Sequence, residues 1–144
     1  MGRVERIWSK RAHRGPMYPV TSAVLDERGL LGSANYDSRR HVTIISAERW
    51  REMMDVLGAD IDPSARRANL LVSGLELAET RNRTLRVGTC LLEIGGETRP
   101  CERMEQALTG LQAVMSERWG GGAWARVIAG GTIQVGDEVV WTAD

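Results

Sequence analysis

The sequence predicts a mainly β fold, a compact barrel of short strands with two or so helical excursions. Three observations point there. Short apolar runs, partly β-branched, recur along the chain, and Gly, Asp, Asn or Pro turns separate them. Glycine makes up 16 of the 144 residues, about 11% against roughly 7% on average, which favours tight turns. Only residues 47–57 and 102–119 carry helical spacing. The length suits a single domain, residues 1–144, with enough core to need neither disulfides nor structural metal.

Taken in order, residues 4–8 alternate weakly and read as a first strand, broken by His13-Arg14-Gly15-Pro16. Residues 20–25 read as a second, 26–29 as a turn, and 30–37, rich in Gly, Ser and Asn, as a loop. Residues 39–45 form a strand that opens on Arg39, Arg40 and His41. Ser46 can cap a helix over 47–57, whose Trp50, Met53, Met54 and Leu57 share one face and which Gly58 ends. Arg49 stands where a capping-box glutamate would be, so that box is absent. After a loop at 60–64, residues 68–72 are a strand preceded by Arg66-Arg67, and 75–77 are short and extended. Residues 84–87 and 90–94 flank Gly88-Thr89 as a hairpin. A helix over 102–119 is interrupted near Gly110, and Gly120-Gly121-Gly122 reads as a flexible break. Strands at 123–129, 132–135 and 138–142 close the chain.

Formal net charge is zero, so no global field draws nucleic acid or an anionic membrane. The basic residues are nearly all Arg, with Lys10 the only lysine. The basic N-terminal segment reads as a solvated edge or arm. No run approaches the roughly 18 apolar residues of a membrane span, and the N-terminus lacks the apolar segment of a signal peptide. Cys90 and Cys101 make neither a disulfide framework nor a paired zinc motif, and a reduced, cytoplasmic state is the simpler reading.

The phosphate loop, the dinucleotide fingerprint and H-E-x-x-H are all absent. His13 and His41 lie far apart beside arginines, without an acidic orienting partner, and read as surface or strand-end residues. What remains is Cys101, between Arg99 and Arg103 at a strand-to-helix turn. Cations and a helix start lower a thiol's pKa from about 8.5 and favour the reactive, metal-binding thiolate. The alternative is a buried cysteine acting as a small hydrophobe. The pairs Arg39-Arg40 and Arg66-Arg67, with Asn69 nearby, read either as solvated charge or as a pocket for an anionic, phosphate-bearing ligand. Cys90, mid-strand, reads as inert.

Four blocks carry a family resemblance: Arg39 to Ser46; Arg66-Arg67-Ala68-Asn69 through Leu77; Leu85 to Gly88 with Pro100-Cys101-Glu102-Arg103-Met104; and Ala125 to Ile128 with Gly130 through Asp137. In order and spacing the chain resembles a stand-alone MOSC domain, named for the C-terminal domain of molybdenum cofactor sulfurase. The resemblance implies a pyruvate-kinase-like β-barrel and a key cysteine, here Cys101, that ligates molybdenum of the pterin cofactor or carries sulfur to it. It places Arg66, Arg67, Asn69 and Arg40 around the cofactor. Relatives that reduce N-hydroxylated compounds imply an oxidoreductase served by an electron-donor protein. The sulfur-carrier alternative implies a cysteine desulfurase as partner, and a non-catalytic binding module is the third alternative. The family is also associated with pyridoxal phosphate, through a fused aminotransferase-like domain for which this chain has no room; Lys10 is a poor Schiff-base candidate. Many relatives carry an acidic residue and a histidine in the loop after the second strand, where this chain has Ser33 and Asn35.

Overall fold

The short apolar runs become eleven strands in the computed structural model, which describes residues 2–12 and 15–142. In chain order they are β1 (Gly2–Lys10), β2 (Met17–Val20), β3 (Ser22–Asp26), β4 (Gly29–Leu30), β5 (Val42–Ser46), β6 (Leu70–Ser73), β7 (Thr84–Val87), β8 (Cys90–Glu97), β9 (Ala123–Ala129), β10 (Gly131–Gln134) and β11 (Glu138–Trp141). The helices are α1 (Ala47–Leu57), α2 (Glu102–Ala107) and α3 (Leu111–Met115), with a 3-10 turn at Pro63–Arg66. The predicted break at His13-Arg14 and the surface reading of His13 lie outside the described residues.

Seven strands close on themselves in the order β1, β6, β5, β9, β8, β7, β11, and β11 pairs back to β1. Closure leaves these strands no free edge. Register shifts in β1 between Val4 and Arg6, and between β8 and β9 at Leu91/Leu92 and Ile94/Gly96, bend the wall so that it can curl. All pairings are antiparallel except β5 with β6. A parallel pair needs a long crossover, and here the crossover carries α1 and the 3-10 turn. Side chains alternate across the wall, so Val4, Val42, Ile44, Leu70, Leu85, Leu92 and Ala125 fill the barrel. β3, β4 and β10 form a small second sheet, and their Leu25, Leu30 and Ile133 join the same core.

The helices make a satellite core of Trp50, Met53, Met54, Met104, Leu111 and Met115. Ser46 caps α1 by accepting from the Arg49 amide at 3.1 Å, and Gly58 ends it in the left-handed region, as the sequence predicts. Arg49 does other work than capping: its Nη2 donates to the carbonyls of Val114 and Glu117, at the end of α3 and just beyond it.

Several boundaries differ from expectation. The strand predicted at 20–25 is two strands that belong to different sheets. The helix predicted over 102–119 is two short helices, because Leu108 is extended and Gly110 has φ +90°. The glycine run at 120–122 is no flexible break. A Cβ on Gly121 would sit 2.2 Å from the Thr98 carbonyl oxygen, so the missing side chain allows two backbones to meet.

Candidate functional site

On the outer face of the wall, β1, β6 and β5 run side by side. Thr43 and Ala68 point outward here, alternating with the barrel-filling Val42, Ile44 and Leu70. The segment that follows β8, and α2 after it, covers this face. Between them lies a cleft of about 340 Å³. Among the described residues, Lys10, Arg40, Arg66, Arg67, Arg99 and Arg103 line it together with Cys101, and no carboxylate does.

Cys101 occupies the N-cap position of α2 but makes no capping hydrogen bond through its side chain. Its thiol is exposed, and Sγ is left to the cleft. What fixes it is the turn behind it: Met104 donates its amide to the Cys101 carbonyl at 2.9 Å, and the Met104 side chain is buried in the satellite core. Glu102 and Glu105 stand on the exposed side of the helix. Cys90, by contrast, has no exposed surface, and burial pushes its thiol above the ordinary range, with Asp137 adding to the rise. Both cysteines are free.

Arg66 is the best-anchored cation. Its Nε donates to the Gly121 carbonyl at 3.0 Å, and its Nη2 donates to Thr98 O at 3.1 Å and Arg99 O at 3.4 Å. Burial lowers its pKa, the neighbouring Cys101 opposes that fall, and Arg40 adds to it. A guanidinium remains charged throughout. Arg67 takes a left-handed backbone (φ +64°) after the 3-10 turn and donates to the carbonyls of Ala12 and Gly15. Among the described residues, the side chains of Lys10, Arg40 and Arg103 have no hydrogen-bonded or ion-paired partner.

Of the residues singled out in the sequence, Cys101, Arg40, Arg66 and Arg67 thus meet in one cleft. Asn69 does not line it. Asn69 is wholly buried behind Thr43, and its Oδ1 accepts from Asn35 Nδ2 at 2.9 Å and from the Thr43 amide at 3.1 Å. Its Nδ2 donates to the Trp8 carbonyl at 3.3 Å. Ser33 and Asn35 join this network, with Ser33 Oγ donating to Asn35 Oδ1 at 2.6 Å and accepting from the Lys10 amide at 3.0 Å. The loop therefore braces the cleft from behind. His41 accepts the Val127 amide through Nδ1 at 3.2 Å, a strand-end role.

Sequence reasoning missed Lys10 as a cleft residue. Burial lowers its pKa, and Arg67, Arg66 and Arg103 lower it further. The signal is its position at the end of β1, opposite the Arg66-Arg67 lead-in to β6, which the basic composition of the segment masks in the sequence.

A closed barrel with an exposed thiol in a cationic cleft on its wall is the class of protein that the fold and the site define. A family model for the MOSC domain matches residues 11–140, and the chain belongs to that family. The family is associated with molybdenum-cofactor-related function. The fold is similar to that of the YuaD protein of Bacillus subtilis, with a TM-score of 0.83 at 19% identity, covering 100% of this chain and 98% of that one. It is also similar to YiiM of Geobacillus stearothermophilus (TM-score 0.80, 15% identity, 99% of this chain and 76% of that one). YiiM of Escherichia coli gives 0.74 at 17% identity, with 99% and 70% covered. No curated protein matches the chain in sequence. Among the described residues, no helix is long and apolar enough to cross a membrane.

Proposed function

We propose that the cleft binds the molybdenum pterin cofactor, with Cys101 Sγ as the protein's ligand to the metal. One observation carries this reading: among the described residues, an exposed thiol stands in a cleft lined by six cationic side chains and no carboxylate. A soft sulfur suits a soft metal, and guanidinium groups suit a phosphate. Among the described residues, no three His, Cys, Asp or Glu side chains gather into a metal cage. A metal held here would bring its other ligands with it, as a pterin dithiolene complex does. The residues present fit that group.

In this reading Cys101 orients the cofactor, Arg40 and Arg66 neutralise its charge beside the sulfur, and Thr43 forms the floor that Asn69 holds in place. When bound, the group supplies two-electron redox chemistry. The chain then acts as an oxidoreductase on N-hydroxylated compounds, with electrons from a donor protein. The test is to load the purified chain with cofactor and measure bound molybdenum. One molybdenum per chain, lost in Cys101→Ser, is the expected result; stoichiometric retention in that variant overturns the ligand role.

A second reading is favoured by the exposure of Cys101 and its lack of a capping bond. A thiol so presented can also accept sulfur from a cysteine desulfurase and act as a carrier. Mass spectrometry after incubation with such an enzyme then finds one added sulfur, about 32 Da, at Cys101. No adduct under conditions that load a known carrier counts against it.

A further inference from the structure

Cys101 is flanked by two arginines. Arg99 stands two residues before it, on the extended segment after β8, and Arg103 two residues after it, in the first turn of α2. Both line the cleft with the sulfur. The backbone beneath them is tied down on both sides of the thiol. Arg66 Nη2 donates to the Arg99 carbonyl at 3.4 Å, and the Met104 amide donates to the Cys101 carbonyl at 2.9 Å. Pro100 fixes a backbone angle between Arg99 and Cys101. The two side chains thus start from anchored backbone and reach into solvent: that of Arg99 is 86% exposed, and Arg103 is exposed as well.

The other four cations of the cleft are placed differently. Arg66 and Arg67 donate to backbone carbonyls and hold the wall together, Arg40 lies beside Arg66, and Lys10 is half-buried at the end of β1. The acids near the thiol do not oppose the flanking pair. Glu97 comes only to 3.9 Å of Arg99 Nε and lies outside the cleft. Glu105 spends its carboxylate on the amides of Gly110 and Gln112, at 2.9 and 3.3 Å. Glu102 is exposed on α2 and does not line the cleft. A negative group approaching the sulfur is therefore attracted, and a positive one repelled. Because Arg99 and Arg103 act through water, each contributes a few-fold, and salt erases the effect.

We infer that Arg99 and Arg103 are specificity-determining residues, and that the N-hydroxylated substrate brought to Cys101 carries an anionic group. The inference rests on the cofactor reading for the reaction. The selection itself belongs to the approach to the sulfur and is present in the cofactor-free chain.

The test compares alkylation of Cys101 by iodoacetate, an anion, and by iodoacetamide, its neutral counterpart. With either reagent the sulfur attacks the methylene carbon, the C–S bond forms, the C–I bond breaks and iodide leaves. Both need the thiolate, so the ratio of the two rates cancels the thiolate fraction. That ratio, followed by peptide mass spectrometry and divided by the ratio for N-acetylcysteine amide, is expected to be about fivefold at low salt and near one at about 1 M salt. Arg99→Gln and Arg103→Gln, both at exposed positions, each lower it about two- to threefold. Arg86→Gln makes the same change of net charge on β7, across the barrel from the cleft, and leaves it unaltered. A wild-type ratio near one overturns the inference, as does a raised ratio that both cleft variants keep or that Arg86→Gln lowers equally. The substrate class is read by protection. 4-Carboxybenzohydroxamic acid is expected to slow iodoacetamide labelling of Cys101 at several-fold lower concentration than 4-carbamoylbenzohydroxamic acid; equal protection, or none, overturns it. Neither measurement uses cofactor, so a failure here is separable from a failure of the molybdenum assay.

Discussion

Arg66 Nε and the Gly121 carbonyl oxygen lie 3.0 Å apart, and that bond joins the 3-10 turn to the segment leading into β9 across 55 residues of sequence. The same oxygen accepts from Thr98 Oγ1 at 2.8 Å, so three separate stretches of chain meet at one carbonyl beside the cleft. An added Cβ at Gly121 collides with Thr98 O at 2.2 Å, a backbone atom that cannot swing away. Gly121→Ala is expected to cost about 1–3 kcal/mol in urea unfolding, the usual range for overpacking. Arg66→Gln is expected to cost about 2 kcal/mol, because charge-assisted bonds to Thr98 O and Gly121 O are lost. A midpoint unchanged in both variants refutes this account of the junction.

The two cysteines differ in access. Cys101 is exposed, whereas Cys90 has no exposed surface within the barrel core. Iodoacetamide on the native protein is expected to label Cys101 freely. It should reach Cys90 at least about a hundredfold more slowly, since that thiol is uncovered only when the core opens. In denaturant the two rates converge. Comparable native rates would remove the distinction on which the candidate site rests.

Arg6 Nη1 donates to Asp62 Oδ1 at 2.7 Å, and the other Asp62 oxygen accepts from the Ser64 amide at 3.0 Å. The pair thus ties β1 to the turn that carries Arg66. The hydrogen bond from Arg6 leads in pulling the Asp62 pKa down to about 2. A depressed carboxylate contributes stability that is fully present above its unfolded value near 4 and is lost as pH falls through about 2. Both side chains are substantially exposed, at 37% and 54%, so the contribution stays below about 1 kcal/mol. Arg6→Gln is expected to be less stable than wild type by about 0.5 kcal/mol at pH 6, and the gap should close between pH 4 and pH 2. A gap that is independent of pH assigns the loss to packing on Trp8, whose ring lies 4.6 Å from the Arg6 guanidinium.

Much of the barrel was legible in the sequence because its strands alternate or run apolar between turn residues, as at 84–87 and 90–94. Less visible was anything set by tertiary approach. Gly121 is read as loose from composition but is fixed by Thr98. Residues 75–77 make no strand, yet Leu77 is buried. At the site, Cys101 and the Arg66-Arg67 pair stood out because charge and thiol flank structural breaks. Asn69 was legible as a polar residue in an apolar strand, but which way it faces depends on Thr43 and Asn35, far off in sequence. Lys10 looked like part of a basic arm because the β1–β6 pairing that brings it opposite Arg67 is long-range.

Asn69 is expected to matter for stability more than for contact with a ligand. Asn69→Ala leaves the Thr43 amide and the Asn35 side chain without their acceptor in a buried place. Each such loss costs about 1–3 kcal/mol, so a total of about 2–6 kcal/mol is expected in denaturant unfolding. Under conditions where the variant stays folded, its phosphate affinity is expected to fall no more than a few-fold. A large affinity loss with unchanged stability would place the side chain in contact with the ligand instead of behind it.

Anions should stabilise the protein through Lys10 in a pH-dependent way. Burial and the neighbouring arginines lower the Lys10 pKa in the fold. Between that lowered value and the unfolded value near 10.4, the unfolded chain binds more protons than the folded one. The Lys10 contribution to stability without ligand therefore rises with pH across that window, because the charged amine is what the fold disfavours, while the raised thiol of buried Cys90 contributes in the opposite direction. A bound phosphate offsets the repulsion and restores the charged amine, so it should flatten the slope while raising the overall stability. At a phosphate concentration of about 100 times Kd the gain is about 2.7 kcal/mol. The check is a series of unfolding midpoints from pH 8 upward, with chloride or phosphate at matched ionic strength. Lys10→Gln is expected to make the slope in chloride less positive, leaving the opposing Cys90 contribution, and to reduce the phosphate gain. A slope in chloride that is the same in Lys10→Gln as in the wild type refutes the assignment.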